Sequence, residues 1–251
     1  MTSTVERFSN RVENYVKYRP GYPDGVIGSF RDEMGLTTSS VVADIGSGTG
    51  ISAKIFLDNG NEVYCIEPNA GMRSAAESDL GAYPKFNSRN ATAENTTLAD
   101  DSMDFVIAAQ AFHWFDPEPT RAEFKRVLKP GGYVALIWNE RQLDTTPFLR
   151  EYEQFLLKFS NDYTKVRHEN VNAESLTRFF AADYRQASFD NVQIFDFEGL
   201  KGRVSSSSYM PSESDPNYDL MAVELKTLFA KHAENDRISV FYDTNVFYTQ
   251  Y

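Results

Sequence analysis

One cysteine, two tryptophans and three histidines in 251 residues narrow the chemistry this chain can perform. Cys65 alone cannot make a disulfide framework or a thiolate zinc site within the chain. Basic residues are also short, with 25 Lys and Arg against 36 Asp and Glu for a net charge of −11. That sign repels nucleic-acid phosphates and anionic membranes, whose partners carry basic patches. No apolar run approaches the roughly 18 residues that span a bilayer. The opening residues, Met1 to Arg7, lack the apolar core of a signal peptide. Internal repeats and low-complexity tracts are absent as well. The expectation is a soluble, cytoplasmic protein, a monomer or homodimer, that binds neither nucleic acid nor membrane and holds no metal.

What is present is organised around Val41-Val42-Ala43-Asp44-Ile45-Gly46-Ser47-Gly48-Thr49-Gly50. An apolar, β-branched run reads as a parallel strand buried on both faces. Glycines at its carboxyl end permit a tight turn and let backbone approach a ligand where a Cβ would collide. In open α/β sheets ligands bind at that edge, near the switch point in strand order. A helix over residues 50–59 and a strand at Val63 to Ile66 follow. Glu67 then stands 21 residues past Gly46, where a βαβ nucleotide fold places an acid for ribose hydroxyls.

Upstream, helices are predicted over residues 5–19 and from an Asp24 cap to Gly35, separated by Arg19-Pro20-Gly21-Tyr22-Pro23. Downstream come a helix from Ala70 to Leu80 capped by Pro68-Asn69, a weak strand at 85–89, and a buried strand at Phe105 to Ala109. A helix from Pro117 to Val127 and a turn at 128–132 lead to a strand at Tyr133 to Trp138. The alternation over 41–138 predicts a doubly wound sheet. Beyond it, helices are predicted at 148–159, 174–180 and 220–229. Strands are predicted at 192–197 and 238–248, the last with a kink at Asp243-Thr244-Asn245. His168 and His232 read as surface residues and Trp138 as core.

The glycines run Gly46-x-Gly48-x-Gly50, and Ile51 occupies the third glycine position of the dinucleotide fingerprint. No phosphate-binding lysine follows, so the loop is not a P-loop. Asp44 to Gly50 instead resembles the first motif of class I methyltransferases that use S-adenosylmethionine (SAM). The resemblance runs on through Glu67-Pro68-Asn69, Ala93-Glu94, Asp101-Ser102-Met103-Asp104 and Arg126 to Gly132, covering about residues 41–139. Tyr15-x-x-Tyr18-Arg19-Pro20-Gly21-Tyr22-Pro23, Gln110 to Phe115, Ser207 to Pro211 and Tyr242-x-Thr244-x-Val246-Phe247 are similar to the small-molecule methyltransferases related to trans-aconitate methyltransferase.

That resemblance implies an α/β fold, a doubly wound, mostly parallel seven-stranded sheet whose last strand runs antiparallel. It also implies one methyltransferase domain, with a helical lid over 1–36, a SAM-binding core over 37–139, and 140–251 completing the sheet and the substrate pocket through helical insertions. SAM is the implied cofactor and S-adenosylhomocysteine the product. The implied cofactor contacts are Tyr18, Arg19, Asp44, Gly46, Ser47, Gly48, Glu67, Pro68, Met72, Thr92, Ala93, Glu94, Gln110 and Ala111. Asp44 either holds the loop and approaches the methionine amine or merely bonds loop amides. Met72 covers an adenine face or is plain core. Relatives in the wider superfamily often carry Asp at the place of Thr92.

Methyl transfer is an in-line displacement, so alignment and water exclusion matter more than a base. His113, between Phe112 and Trp114 after the fourth strand, reads as a general base, a donor to an acidic substrate, or a loop histidine bonded to backbone. His113, Arg19 and Trp114 are the expected substrate-side residues, acting on a small-molecule acceptor such as a carboxylate. A SAM-binding protein without activity is the alternative. A nicotinamide-dependent oxidoreductase is disfavoured by Ile51 and by the lack of a Tyr-x-x-x-Lys.

Overall fold

A computed structural model describes residues 16–161, 163 and 173–251. The expected first helix lies mostly outside the described residues, as do Tyr15 and His168; residues 16–18 are helical. Seven strands form one sheet in the order β3-β2-β1-β4-β5-β7-β6. They are β1 (Val41–Ile45), β2 (Glu62–Ile66), β3 (Phe86–Arg89), β4 (Met103–Ala109), β5 (Leu128–Arg141), β6 (Arg185–Phe195) and β7 (Ile238–Gln250). β1 pairs in parallel with both β2 and β4, and there the strand order reverses. β7 runs antiparallel between β5 and β6.

Helix α1 (Asp24–Met34) leads into β1, and α2 (Ile51–Asp58), α3 (Ala70–Leu80) and α4 (Pro117–Val127) connect parallel strands. Their ends follow the sequence signals. Asn69 accepts from the Met72 amide at 3.0 Å, and Gly35 closes α1 at φ +72°. Pro23 rather than Asp24 occupies the cap position of α1; Asp24 falls in the first turn, where its charge still suits the helix dipole. Alternation along β1 sends Val42 to one face of the sheet and Ala43 and Ile45 to the other. One face packs Phe30, Phe56 and Phe105; the other packs Phe112, Phe124, Trp138 and Phe179.

The carboxyl half departs most from expectation. Residues 128–132, expected as a turn, already belong to β5, where Leu128 pairs with Met103 across a register shift. β6 begins at Arg185, well before the predicted 192. β7 keeps an unbroken register from Tyr133↔Gln250 to Arg141↔Tyr242, so the expected kink at Asp243 is absent. Pairing on both sides holds those polar residues straight. Beyond α5 (Pro147–Phe159) and α6 (Ala173–Phe180) comes α7 (Phe197–Ser205), which no pattern predicted, and then α8 (Tyr218–His232). α5, α7 and α8 share a separate core with β7 through Tyr152, Leu200, Met221, Leu225 and Tyr242. His232 is half-buried, against Phe148 and 3.2 Å from Glu151, rather than a surface residue.

Candidate functional site

The glycine loop is built the way its sequence requires. Gly46, Gly48 and Gly50 all take positive φ, at +67°, +57° and +85°. A Cβ on Gly46 would stand 2.7 Å from the Ala111 Cβ. The Gly46 and Ser47 amides both donate to the Ile66 carbonyl, at 2.8 and 3.2 Å, pinning the loop to the end of β2. Glu67 follows immediately, and its carboxylate clamps both sides of the site. Oε2 accepts from the Gly48 amide at 2.9 Å and Oε1 from the Asn69 amide at 2.7 Å. Burial pushes this carboxyl upward, and the two amides and Arg73 pull the other way.

Asp44 lies beneath the loop, fully buried, and takes a 2.6 Å hydrogen bond from the Ser52 hydroxyl in the first turn of α2. Burial drives its carboxyl up to about 7 against the Ser52 bond. It is not part of the cavity wall.

Opposite Glu67, the turn Thr92-Ala93-Glu94 is held from below. Glu123 of α4 accepts from the Thr96 amide and hydroxyl, at 2.8 and 2.6 Å. Burial works against the Glu123 charge, yet Arg126 and Thr96 outweigh it and bring the carboxyl down to about 2. The end of β4 is strained. Gln110 sits at φ +58°, its amide bound to the Ile137 carbonyl at 2.9 Å. That bend starts a short helical turn, Phe112–Trp114. Phe112 enters the core 4.4 Å from Phe179, whereas His113 and Trp114 line the cavity, their ring centroids 4.5 Å apart.

All these pieces surround one cavity of about 840 Å³, toward the upper end of the roughly 300–1,000 Å³ usual for ligand sites. Of the residues expected from sequence, Arg19, Gly46, Ser47, Gly48, Glu67, Pro68, Met72, Thr92, Ala93, Glu94, Gln110, Ala111, His113 and Trp114 line it. Tyr18 is elsewhere: its ring fills the space that a Cβ on Gly202 of α7 would need. Arg19 donates from Nη2 to the Ser206 carbonyl at 3.2 Å, so one arm of its fork serves the backbone. Asn139 at the end of β5 secures this entrance segment through the Gly21 carbonyl at 3.1 Å.

The far wall was anticipated only in part, through the motifs that contain Tyr209 and Tyr242; Arg141, Tyr163 and Arg203 were not named as site residues. It consists of Arg141, Tyr163, Arg203, Tyr209 and Tyr242. Arg141 is ion-paired with Glu153, which also accepts from the Tyr163 hydroxyl. Arg203 was missed because α7 was missed: Gly199 and Gly202 read as breakers. The helical signal was nonetheless present, in Leu200 and Val204 at i, i+4 and in Asp196, whose carboxylate caps the Gly199 amide at 2.8 Å.

Comparison with known proteins decides the family. A family described as a methyltransferase domain matches residues 43–136. A Dictyostelium discoideum protein bearing the name of a methyltransferase is 30% identical over 267 residues, covering 97% of this chain and 93% of that one. The chain belongs to the methyltransferase family. Among solved structures, an Anaeromyxobacter dehalogenans protein named as a type II methyltransferase superposes on this methyltransferase with a TM-score of 0.68 at 18% identity. The match covers 93% of this chain and 98% of that one. The phosphoethanolamine N-methyltransferase 2 of Haemonchus contortus, solved with phosphomonomethylethanolamine and S-adenosylhomocysteine, superposes at 0.57 with 15% identity, over 97% of this chain and 57% of that one. Among the described residues of the methyltransferase no cluster suits a metal ion, and no helix is long and apolar enough to cross a membrane.

Proposed function

We propose that this methyltransferase moves the methyl group of SAM to a small acceptor, a carboxylate in the simplest case, within this cavity. The observation that carries the reading is the placement of Glu67, the glycine loop and the His113–Trp114 turn around one space. The residues present fit SAM. Glu67 uses two acceptor sites on amides and keeps others for ribose hydroxyls. The buried Thr49 hydroxyl, on the cavity wall, has no hydrogen-bond partner among the described residues. Gly46 and Gly48 would carry the methionine portion, and Met72 with Thr92, Ala93 and Glu94 the adenine. When bound, SAM supplies an electrophilic methyl on a sulfonium.

The chain's own part is positioning. Trp114 shields the reacting centre from water, and His113 holds or removes the acceptor's proton. Arg19, which lines the cavity, orients acidic acceptors through its guanidinium charge. Residues 16–23, tied across the opening, act as the ordered edge of a lid. The location implied by the composition, cytoplasmic, belongs to the same proposal.

Calorimetry with SAM, S-adenosylhomocysteine and NAD, followed by methyl transfer from labelled SAM to small acids and phenols, tests the reading. Binding of SAM and its product but not NAD, with label appearing in an acid, is expected. Binding without transfer to any acceptor would favour a non-catalytic SAM-binding protein. His113→Ala should hold S-adenosylhomocysteine affinity within about threefold while turnover drops roughly 10²-fold. A parallel loss of cofactor affinity would move His113 into the SAM site.

A further inference from the structure

Resting on the methyl-transfer reading, we propose that Arg203 anchors a carboxylate of the acceptor, and that this carboxylate is not the group that receives the methyl. Arg203 is only 8% exposed, yet it lines the cavity. Nε donates to the Tyr242 hydroxyl at 3.3 Å and Nη1 to the Ser207 hydroxyl at 3.1 Å. Nη2 has no hydrogen-bond partner among the described residues, and no described carboxylate lies within ion-pair distance. The other cation on this wall, Arg141, is already neutralised by Glu153. A buried guanidinium stays charged at any working pH, and such a charge without a counter-ion is costly. A counter-ion that arrives with the ligand resolves that imbalance.

The site is also oriented in advance. The Tyr242 hydroxyl donates to Gln193 Oε1 at 2.9 Å, which leaves its oxygen lone pairs turned to Arg203 Nε. Arg203 lines the cavity with Nη2 unused by any described residue, and a guanidinium fork suits a carboxylate. A phosphate dianion would require a second uncompensated cation, which this wall lacks. Glu140, Asp144 and Asp243 on the cavity rim also disfavour excess negative charge.

The anchored carboxylate cannot sensibly be the nucleophile. Methylation removes its charge, so a guanidinium gripping it would stabilise the ground state more than the transition state and slow transfer. A second group on the same molecule therefore reacts. Its lone pair forms the bond to the methyl carbon as the sulfur–carbon bond breaks toward sulfur, and Arg203 exchanges no proton. The acceptor class is a bifunctional acid, with a handle at one end and a nucleophile at the other.

The test uses the full chain saturated with S-adenosylhomocysteine and titrates the dicarboxylates from malonate to adipate, the hydroxybenzoates, their half-amides, butyrate and phosphoethanolamine. At least one bifunctional acid should bind, and its half-amide at the handle should bind at least tenfold more weakly. Arg203→Gln should weaken that acid at least tenfold with S-adenosylhomocysteine affinity unchanged, and Arg203→Lys should recover part of the loss. If Arg203→Gln unfolds, the acid-to-amide ratio in the unmodified protein reads the same contact. In transfer assays with SAM, bifunctional acids should be methylated and butyrate should not. The proposal falls if no acid binds, if Arg203→Gln binds acids as the unmodified protein does, if phosphoethanolamine binds more tightly than every acid, or if butyrate is methylated as readily. Absence of S-adenosylhomocysteine binding would instead overturn the methyl-transfer reading itself.

Discussion

Glu67 and Asp44 sit at the ends of adjacent strands, and their environments set them apart. At Glu67 two backbone amides oppose the upward push of burial, and the carboxylate lines the cavity, where it can accept hydroxyls. Glu67→Ala should weaken S-adenosylhomocysteine binding by about 1.5–3 kcal/mol, the range for a charge-assisted bidentate contact, measured by calorimetry. Unchanged affinity in the folded variant would remove the ribose assignment. Burial raises both carboxyls, and it drives that of Asp44 up to about 7 against the Ser52 hydroxyl bond. Between about pH 4, its unfolded value, and about pH 7, the unfolded chain has released this proton while the folded chain retains it. Stability therefore declines as pH rises through that window, and the full penalty is in place above it. Asp44→Asn, neutral at all pH, should flatten this decline and gain on the order of 4 kcal/mol over the native chain at pH 8 relative to pH 4. Parallel stability–pH curves for the two proteins would refute the assignment.

At the scale of elements, the β1–α2 connection joins backbone conformation to ligand access. Gly46 needs φ +67° and has Ala111 of the neighbouring β4 connection against the position of its missing Cβ. Gly46→Ala should destabilise the fold by roughly 1–2 kcal/mol from the left-handed backbone alone. The clash would also push the β4 turn away and lower cofactor affinity. Chemical denaturation and calorimetry on the same variant check both effects; a variant as stable as the native chain would show that the loop relaxes freely. The β1, β2 and β4 elements and their helices were legible because each local signal agreed with the others: apolar run, glycine punctuation, cap. α7 was not, because its two glycines read as breakers, and one of them serves a tertiary contact. Gly202 admits the Tyr18 ring, a requirement set by a residue far away in sequence.

For the whole molecule, the entrance segment depends on the carboxyl half. The Tyr18 carbonyl accepts from Gln193 Nε2 at 3.1 Å, Arg19 reaches the Ser206 carbonyl, and the Gly21 carbonyl accepts from Asn139 and, at 2.9 Å, from Asn191. These ties span β5, β6 and the connection after α7, so the segment is held by contacts far away in sequence. Hydrogen exchange over residues 16–23 should slow when S-adenosylhomocysteine is added. Equal protection with and without it would exclude a lid role for this segment.

The sequence by itself determined the nucleotide-type core: β1, the glycine loop, Glu67 and the His113–Trp114 turn are neighbours along short connections, where periodicity and turn chemistry act locally. Only the tertiary structure decided the far wall. Arg203, Arg141, Tyr163 and Tyr242 come from four separate segments and meet because β7 inserts antiparallel between β5 and β6. Tyr242 stands beside Arg141 in that register, and α7 delivers Arg203 to both. A pairing register across about a hundred residues leaves no periodic trace in either partner, so the buried charge of Arg203 on this wall could be seen only once the sheet was assembled.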